Sequence, residues 1–210
     1  MNRTIVISCA GIGKRLHSSE PKCLTNIDGI SLLERLLNQL KNEKDIRIVV
    51  GYKKNLIIDK IKKINPNIKI YENKNYLNTG AAGSFWCAID DTVQELVISM
   101  VGDLLINSDD IKALLNDNDE FICGGKINTL SPIFISLDKD EKVINISRNY
   151  GIYEWAGLVQ IRREHLIKEK ENIYQMVKPL LPLKFKCVRF KEIDTVSDVQ
   201  DAREWLKIND

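Results

Sequence analysis

The sequence predicts an α/β fold: a Rossmann-like mixed, mostly parallel sheet with an added β-hairpin and a C-terminal helix. Three observations carry this expectation. Short β-branched runs alternate with helical periodicities over the first 125 residues, the rhythm of βαβ units. Those runs are apolar at successive positions, as in strands covered on both faces. Past about residue 130, two extended runs joined by the polar turn DKDE replace that rhythm.

Residues 4–9 (TIVISC) read as the first buried strand. Residues 32–40 place Leu32, Leu33, Leu36, Leu37 and Leu40 at helical spacing, with Ser31 before them as a cap. A second strand is expected at 46–50 (IRIVV), a helix at 55–64 and a short strand at 68–71. Residues 81–89 are expected to be helical and 96–101 (LVISMV) to form a fourth buried strand. A helix capped by Ser108 follows at 109–115, then a strand at 121–123. The hairpin takes 132–137 and 142–147. A strand at 155–161, helical segments at 163–170 and 173–181, a strand at 186–190 and a helix at 196–206 complete the chain. No repeat or Pro/Ser-rich linker interrupts the 210 residues, so one domain is expected.

Composition excludes several function classes. Apolar residues make up 44%, charged residues 29%, and the net charge is +2, so no strong field points to nucleic acid or to a membrane surface. No apolar run approaches the ~20 residues that span a bilayer, and no signal peptide is visible. The five cysteines are odd in number and lack CxxC spacing, which argues against a disulfide framework or a structural zinc site. Free thiols in a cytoplasmic protein are expected. The two histidines, His17 and His165, have nothing around them that would build a hydrolytic triad.

In open α/β sheets, ligands bind beyond the carboxyl ends of the strands. The loop after the first strand reads AGIGKRLHSSEPK. Leu16 stands where a dinucleotide fingerprint needs its third glycine, and GK[ST] is absent, so neither that fingerprint nor a Walker A loop is present. Glycines let backbone N–H groups approach anionic oxygens, and Lys14, Arg15 and Lys22 add three cations. Such a loop suits a triphosphate. A solvated basic turn is the alternative reading of the glycine pair.

AGIGKRL, PKCL and IDGISLLERLLNQL together resemble the opening of the nucleotidyltransferase superfamily that activates sugar phosphates and small phosphoesters, whose pattern is AAGxGxR[LM]…PKxL…xGxxLLxRxL. Cys9 replaces the first alanine of that pattern and keeps a small side chain there. IVVGYKKNLI, NKNYLNTGAAGSFWCAI, MVGDLLI and FKEIDTVSDVQDA resemble later family motifs. The resemblance implies a GT-A-like nucleotidyltransferase fold, with residues 1–125 mainly binding nucleotide and 126–190 mainly forming an acceptor pocket. It implies Arg15 and Lys22 as the catalytic cations on the triphosphate and the transferred group. Asp103 and Asp194 are implied as ligands of Mg²⁺, and Cys9, Ala10, Gly11, Gly13, Lys14, Gly51, Asn78, Thr79, Gly80 and Ser84 as nucleotide-binding residues. Asp103 as a turn or N-cap residue, and Asp194 as a cap of the last helix, are the alternative readings.

The implied reaction is attack of a phosphate or phosphonate oxygen on the α-phosphorus of an NTP, with pyrophosphate leaving. The compact chain is similar to the small cytidylyltransferases, which implies CTP. The segment RNYGIYEWAGL supplies Tyr150, Tyr153, Glu154 and Trp155 as candidate acceptor-binding residues. Aromatic faces beside a carboxylate suit the quaternary ammonium of phosphocholine. Placement of Tyr153 and Trp155 on a strand with one face in the core is the other reading. A monomer or homodimer without nucleic-acid or membrane partners is expected. The competing expectations are a hexose-1-phosphate nucleotidyltransferase using another NTP and a non-catalytic nucleotide-binding relative.

Overall fold

The computed structural model describes residues 2–16 and 19–209; His17 lies outside them. Strand β1 (Arg3–Cys9) leads through the glycine loop to a short ribbon, β2 (Asn26–Ile27) and β3 (Ile30–Ser31). Then come α1 (Leu32–Gln39), β4 (Asp45–Val50), α2 (Lys54–Ile64), β5 (Lys69–Glu72), α3 (Ala81–Trp86), β6 (Leu96–Val101) and β7 (Leu104–Ile106). The second half holds α4 (Ser108–Leu115), β8 (Phe121–Gly125), β9 (Phe134–Leu137), β10 (Lys142–Ser147) and β11 (Tyr153–Arg162). It ends with α5 (Ile173–Val177), β12 (Leu183–Cys187), β13 (Phe190–Glu192) and α6 (Val196–Asn209).

Nine strands form one mixed sheet in the order β5-β4-β1-β6-β11-β8-β12-β10-β9. The first four in space are all parallel. From β6 onward the pairings are antiparallel, except β12 with β8. The chain moves outward from β1 to β4 and β5, then returns to place β6 on the other side of β1. That reversal opens a crevice beyond the ends of β1 and β6.

Alternation along β1 sends Ile5, Ile7 and Cys9 to one face and Val6 to the other. The first face packs on Leu33, Leu36 and Leu37 of α1, Ile57 and Ile61 of α2, and Ile111 and Leu114 of α4. The second packs on Phe85 of α3 and Met176 and Val177 of α5. Each such side chain contributes roughly 1.5–3 kcal/mol by leaving water. A third cluster, with Ile27, Leu105, Ile193 and Ala202, seats α6.

Several expectations need correction. Residues 163–170 are one 3-10 turn, Arg163–His165, followed by irregular chain, because no apolar face repeats there. The segment expected as one strand at 186–190 belongs to two, β12 and β13. Helix α4 is capped by Asn107, whose Oδ1 accepts from the N–H groups of Asp109 and Asp110, and Ser108 is the first helical residue. Ser31 does cap α1, accepting from Glu34 N at 3.3 Å.

Candidate active site

The site is built where β1, β6 and β13 end. The Val101–Asp103 turn lies against β1, with Gly102 N donating to Ser8 O at 3.1 Å. A Cβ on Gly102 would stand 2.3 Å from Cys9 Sγ, so only glycine fits this approach. Strand β13 pairs with β7, Glu192 opposite Leu104, and Ile193 N donates to Asp103 O at 3.1 Å. This pairing brings residues 192 and 194 beside Asp103. Capping of α6 falls to Thr195 and Asp198: the Asp198 carboxylate accepts from Asp194 N and Thr195 N, and the Thr195 hydroxyl accepts from Asp198 N. The Asp194 side chain is thereby released toward the crevice. With Asn107 capping α4, Asp103 is no helix cap either.

Lys22 opens a 3-10 turn behind Pro21 and sends its ammonium between Asp103 Oδ2 and Asp194 Oδ1. Its stem passes Gly13, whose φ of +67° and missing Cβ leave the room. Arg15 reaches the other oxygen of Asp194 at 2.5 Å, from a largely exposed position. A third carboxylate, Glu192, completes the cluster: one oxygen from each of Asp103, Glu192 and Asp194 lies within 4.8 Å of the others. Burial alone would lower the Lys22 ammonium, but Asp103 and Asp194 overcome this and hold it firmly protonated. Glu192 is pushed up to about 8 by burial and by repulsion from Asp103 and Asp194. Cys9, buried and in contact with the Cys23 thiol, is raised well above its ordinary value and offers no thiolate nucleophile.

Two cavities meet here. The larger, about 380 Å³, is lined by the glycine loop, Lys22, Asp103, Asp194 and the start of α3. The smaller, about 230 Å³, lies toward β11, where the bulge at Gly157 (φ +69°) bends the strand away from β8. Arg15 and Asp194 line both. The sequence model of the MobA-like NTP transferase domain matches residues 5–136. This chain belongs to that family.

The NTP transferase domain is similar to the bifunctional protein GlmU of Campylobacter concisus, with 34% identity over 117 residues, 55% of this chain and 26% of that protein. The chain thus spans about a quarter of the length of that relative. Its fold is shared by the inositol-1-phosphate CTP transferase from T. maritima, with a TM-score of 0.79, 19% identity and coverage of 99% of this chain and 95% of that one. The CTP:phosphocholine cytidylyltransferase from Streptococcus pneumoniae shares it too, with a TM-score of 0.78, 18% identity and coverage of 98% and 100%.

Within this NTP transferase domain, Cys9, Ala10, Gly11, Gly13, Lys14, Thr79, Gly80 and Ser84 line the larger cavity, together with Arg15, Lys22, Asp103 and Asp194. Gly51 and Asn78 do not. Gly51 packs against Ala10 and Tyr76, and the Asn78 amide donates to Asn75 Oδ1. The N–H groups of Gly80 and Gly83 both donate to Lys170 O, at 2.9 and 3.1 Å. Thr79 and Ser84 are tied together by buried Asn73, whose amide donates to both hydroxyls. Ser8 Oγ is buried in the cavity wall with no hydrogen-bond partner among the described residues.

Of the acceptor candidates, only Glu154 and Trp155 line the smaller cavity. The Glu154 carboxylate is taken by Asn128 N at 2.7 Å, Thr129 N at 3.2 Å and the Thr129 hydroxyl, so it pins that loop. Tyr150 is 68% exposed, and Tyr153 packs on Phe185, ring centroids 4.7 Å apart. Sequence reasoning missed Glu192, Tyr76 and Asn73. For Glu192 a signal existed: Glu192 and Asp194 are two apart on extended chain and so share a face.

Proposed function

We propose that this chain transfers a nucleoside monophosphate, most favourably CMP from CTP, to a small phosphorylated acceptor, releasing pyrophosphate. The observation that carries this reading is the shared wall: two cavities meet at the Arg15–Asp194 ion pair, with Lys22 and Asp103 on the larger side. Group transfer needs two reactants held on either side of one charge-neutralising centre. The glycine loop with Lys14 takes the triphosphate in the larger cavity, and the acceptor enters the smaller one. An acceptor phosphate oxygen bonds to the α-phosphorus as the bond to the β-phosphate oxygen breaks, and pyrophosphate leaves with the electron pair. Arg15 and Lys22 offset charge on the transferring group and on the leaving pyrophosphate. A phosphate oxygen is already ionised near neutral pH, so no general base is required.

Three clustered carboxylates are hard oxygen donors suited to Mg²⁺, and the Lys22 ammonium lodged between two of them marks the place as one for a cation. Asp103 and Asp194 would hold the ion, with Glu192 behind them. Bound there, Mg²⁺ supplies electrophilic stabilisation of the phosphoryl oxygens.

CTP is supported by the two CTP enzymes of the same fold and nearly the same extent. For the acceptor, the smaller cavity favours hydroxyl-bearing phosphates over phosphocholine. Its walls carry Thr129, Ser131 and Asn172, and Arg148 stacks 6.0 Å from the Tyr174 ring, so a cation already covers that aromatic face. With Tyr150 and Tyr153 outside, Trp155 alone does not form a cage. The second reading, a hexose-1-phosphate nucleotidyltransferase using another NTP, fits the same walls. Pyrophosphate release with Mg²⁺, each NTP and a panel of phosphocholine, phosphoethanolamine, polyol phosphates and sugar 1-phosphates separates these readings. Turnover with CTP and a hydroxyl-bearing acceptor is expected; silence with every pair, without nucleotide binding, sinks the enzyme reading.

A further inference from the structure

Lys22 has a second feature beyond its place beside the triphosphate. Its ammonium contacts Asp103 Oδ2 and Asp194 Oδ1 at once, and Arg15 takes the remaining oxygen of Asp194. Two carboxylates are thus already neutralised by two cations of the chain itself. A divalent cation held by these two aspartates would need the carboxylate oxygens that the ammonium now contacts. Two cations cannot share that space, because their repulsion in a partly buried site is poorly screened. The lysine is mostly buried but borders the larger cavity. Its backbone is fixed by the turn after Pro21, but its stem runs along the open side of Gly13, in the wall of the larger cavity. A triphosphate in that cavity offers it other anionic oxygens.

We infer that, before nucleotide arrives, Lys22 occupies the divalent cation's seat, so that metal and NTP bind together and metal alone binds weakly. Lys22 is then a positioning residue as well as a phosphate ligand. It holds Asp103 and Asp194 together in the empty enzyme, where their mutual repulsion would otherwise part them, and yields them when the triphosphate draws it away. This inference rests on the proposal that Asp103 and Asp194 take the metal.

The test is Mn²⁺ binding, read from the spin-resonance signal of the free ion, with no turnover involved. Wild-type protein without nucleotide should bind Mn²⁺ weakly, and Lys22→Gln at least ten-fold more tightly. Lys53→Gln removes one positive charge at the same end of the sheet, where Lys53 bonds Ser19 O, and should stay within about three-fold of wild type. A non-hydrolysable NTP analogue should tighten Mn²⁺ binding to wild type ten-fold or more and to Lys22→Gln far less. Equal gains in the two lysine variants would make the effect a general field and overturn the inference. So would tight Mn²⁺ binding to nucleotide-free wild type that Asp194→Asn abolishes, while leaving the metal site itself standing. If Lys22→Gln fails to fold, the wild-type titration with and without the analogue decides: unchanged affinity overturns the inference. Mn²⁺ binding with analogue that ignores both Asp103→Asn and Asp194→Asn would overturn the metal site and the inference together.

Discussion

The two ends of the sheet both bury charge, with opposite arithmetic. At the amino ends of the strands, Arg47 is 2% exposed and has every guanidinium nitrogen in use: Nε and Nη2 donate to Asp45, and Nη1 to Ala88 O and Asp91. Asp45 also accepts from the Thr4 hydroxyl, and Arg3 donates to Gln160 Oε1 and Asp117 O. At the carboxyl ends, the carboxyl groups of Asp103, Glu192 and Asp194 crowd together around Lys22 and Arg15, and the Ser8 hydroxyl has no partner among the described residues. The charges of the first cluster are paired within the chain, although Arg3 Nε has no hydrogen-bond partner among the described residues. The second is complete only with ligands. Buried charge therefore marks function only where the chain leaves it unbalanced, since structural ion-pair networks perturb their members just as strongly.

Substitutions break the comparison from either side. Arg47→Met leaves Asp45 with only Thr4 and Lys69 and is expected to cost up to about 3 kcal/mol of stability, read from urea unfolding. Turnover per folded molecule should stay within about two-fold, and a large loss there would mean that the two ends are coupled. Lys22→Gln or Asp103→Asn should do the reverse: turnover falls by roughly 10²–10³ while the melting temperature shifts by a few degrees at most. Retention of near wild-type turnover would remove the catalytic role.

Acid sharpens the contrast. Burial would raise Asp45, but hydrogen bonds from Arg47, Thr4 and Lys69 hold it below its ordinary 3.8. A carboxylate depressed in the folded state stabilises above its unfolded pKa and loses that contribution as pH falls below it. Unfolding below about pH 3.8 should therefore be less steep in Asp45→Asn than in wild type; identical acid profiles would deny Asp45 this part. Smaller still, Arg148→Gln should raise the acceptor KM about ten-fold and leave the NTP KM unchanged, since loss of one charge-assisted bond is worth about 1.4 kcal/mol. Least of all, Tyr150→Ala should change stability by less than about 0.5 kcal/mol and leave the acceptor KM alone. A rise in that KM would restore the aromatic-cage reading.

The same contrast explains what was legible in the sequence. TIVISC, IRIVV and LVISMV are apolar because both sheet faces are covered, so burial wrote those strands into local composition. Arg15, Lys22, Asp103 and Asp194 were reachable because each follows a strand or sits in the glycine loop. Strands β2, β3 and β7, of two or three residues, are too short to carry a period. Glu192 joins the site through pairing with β7, 88 positions away in sequence, and its only local sign is its spacing of two from Asp194. Aromatic content says nothing of which faces are already covered: Phe185 packs on Tyr153, and Arg148 lies over Tyr174.

The most direct test of the central claim is calorimetric titration of CTP into wild type and Asp194→Asn, with and without Mg²⁺. The account predicts that Mg²⁺ tightens CTP binding to wild type by ten-fold or more and has little effect on Asp194→Asn. CTP binding that is indifferent to Mg²⁺ and to Asp194, or no binding of any NTP under any condition, would contradict it.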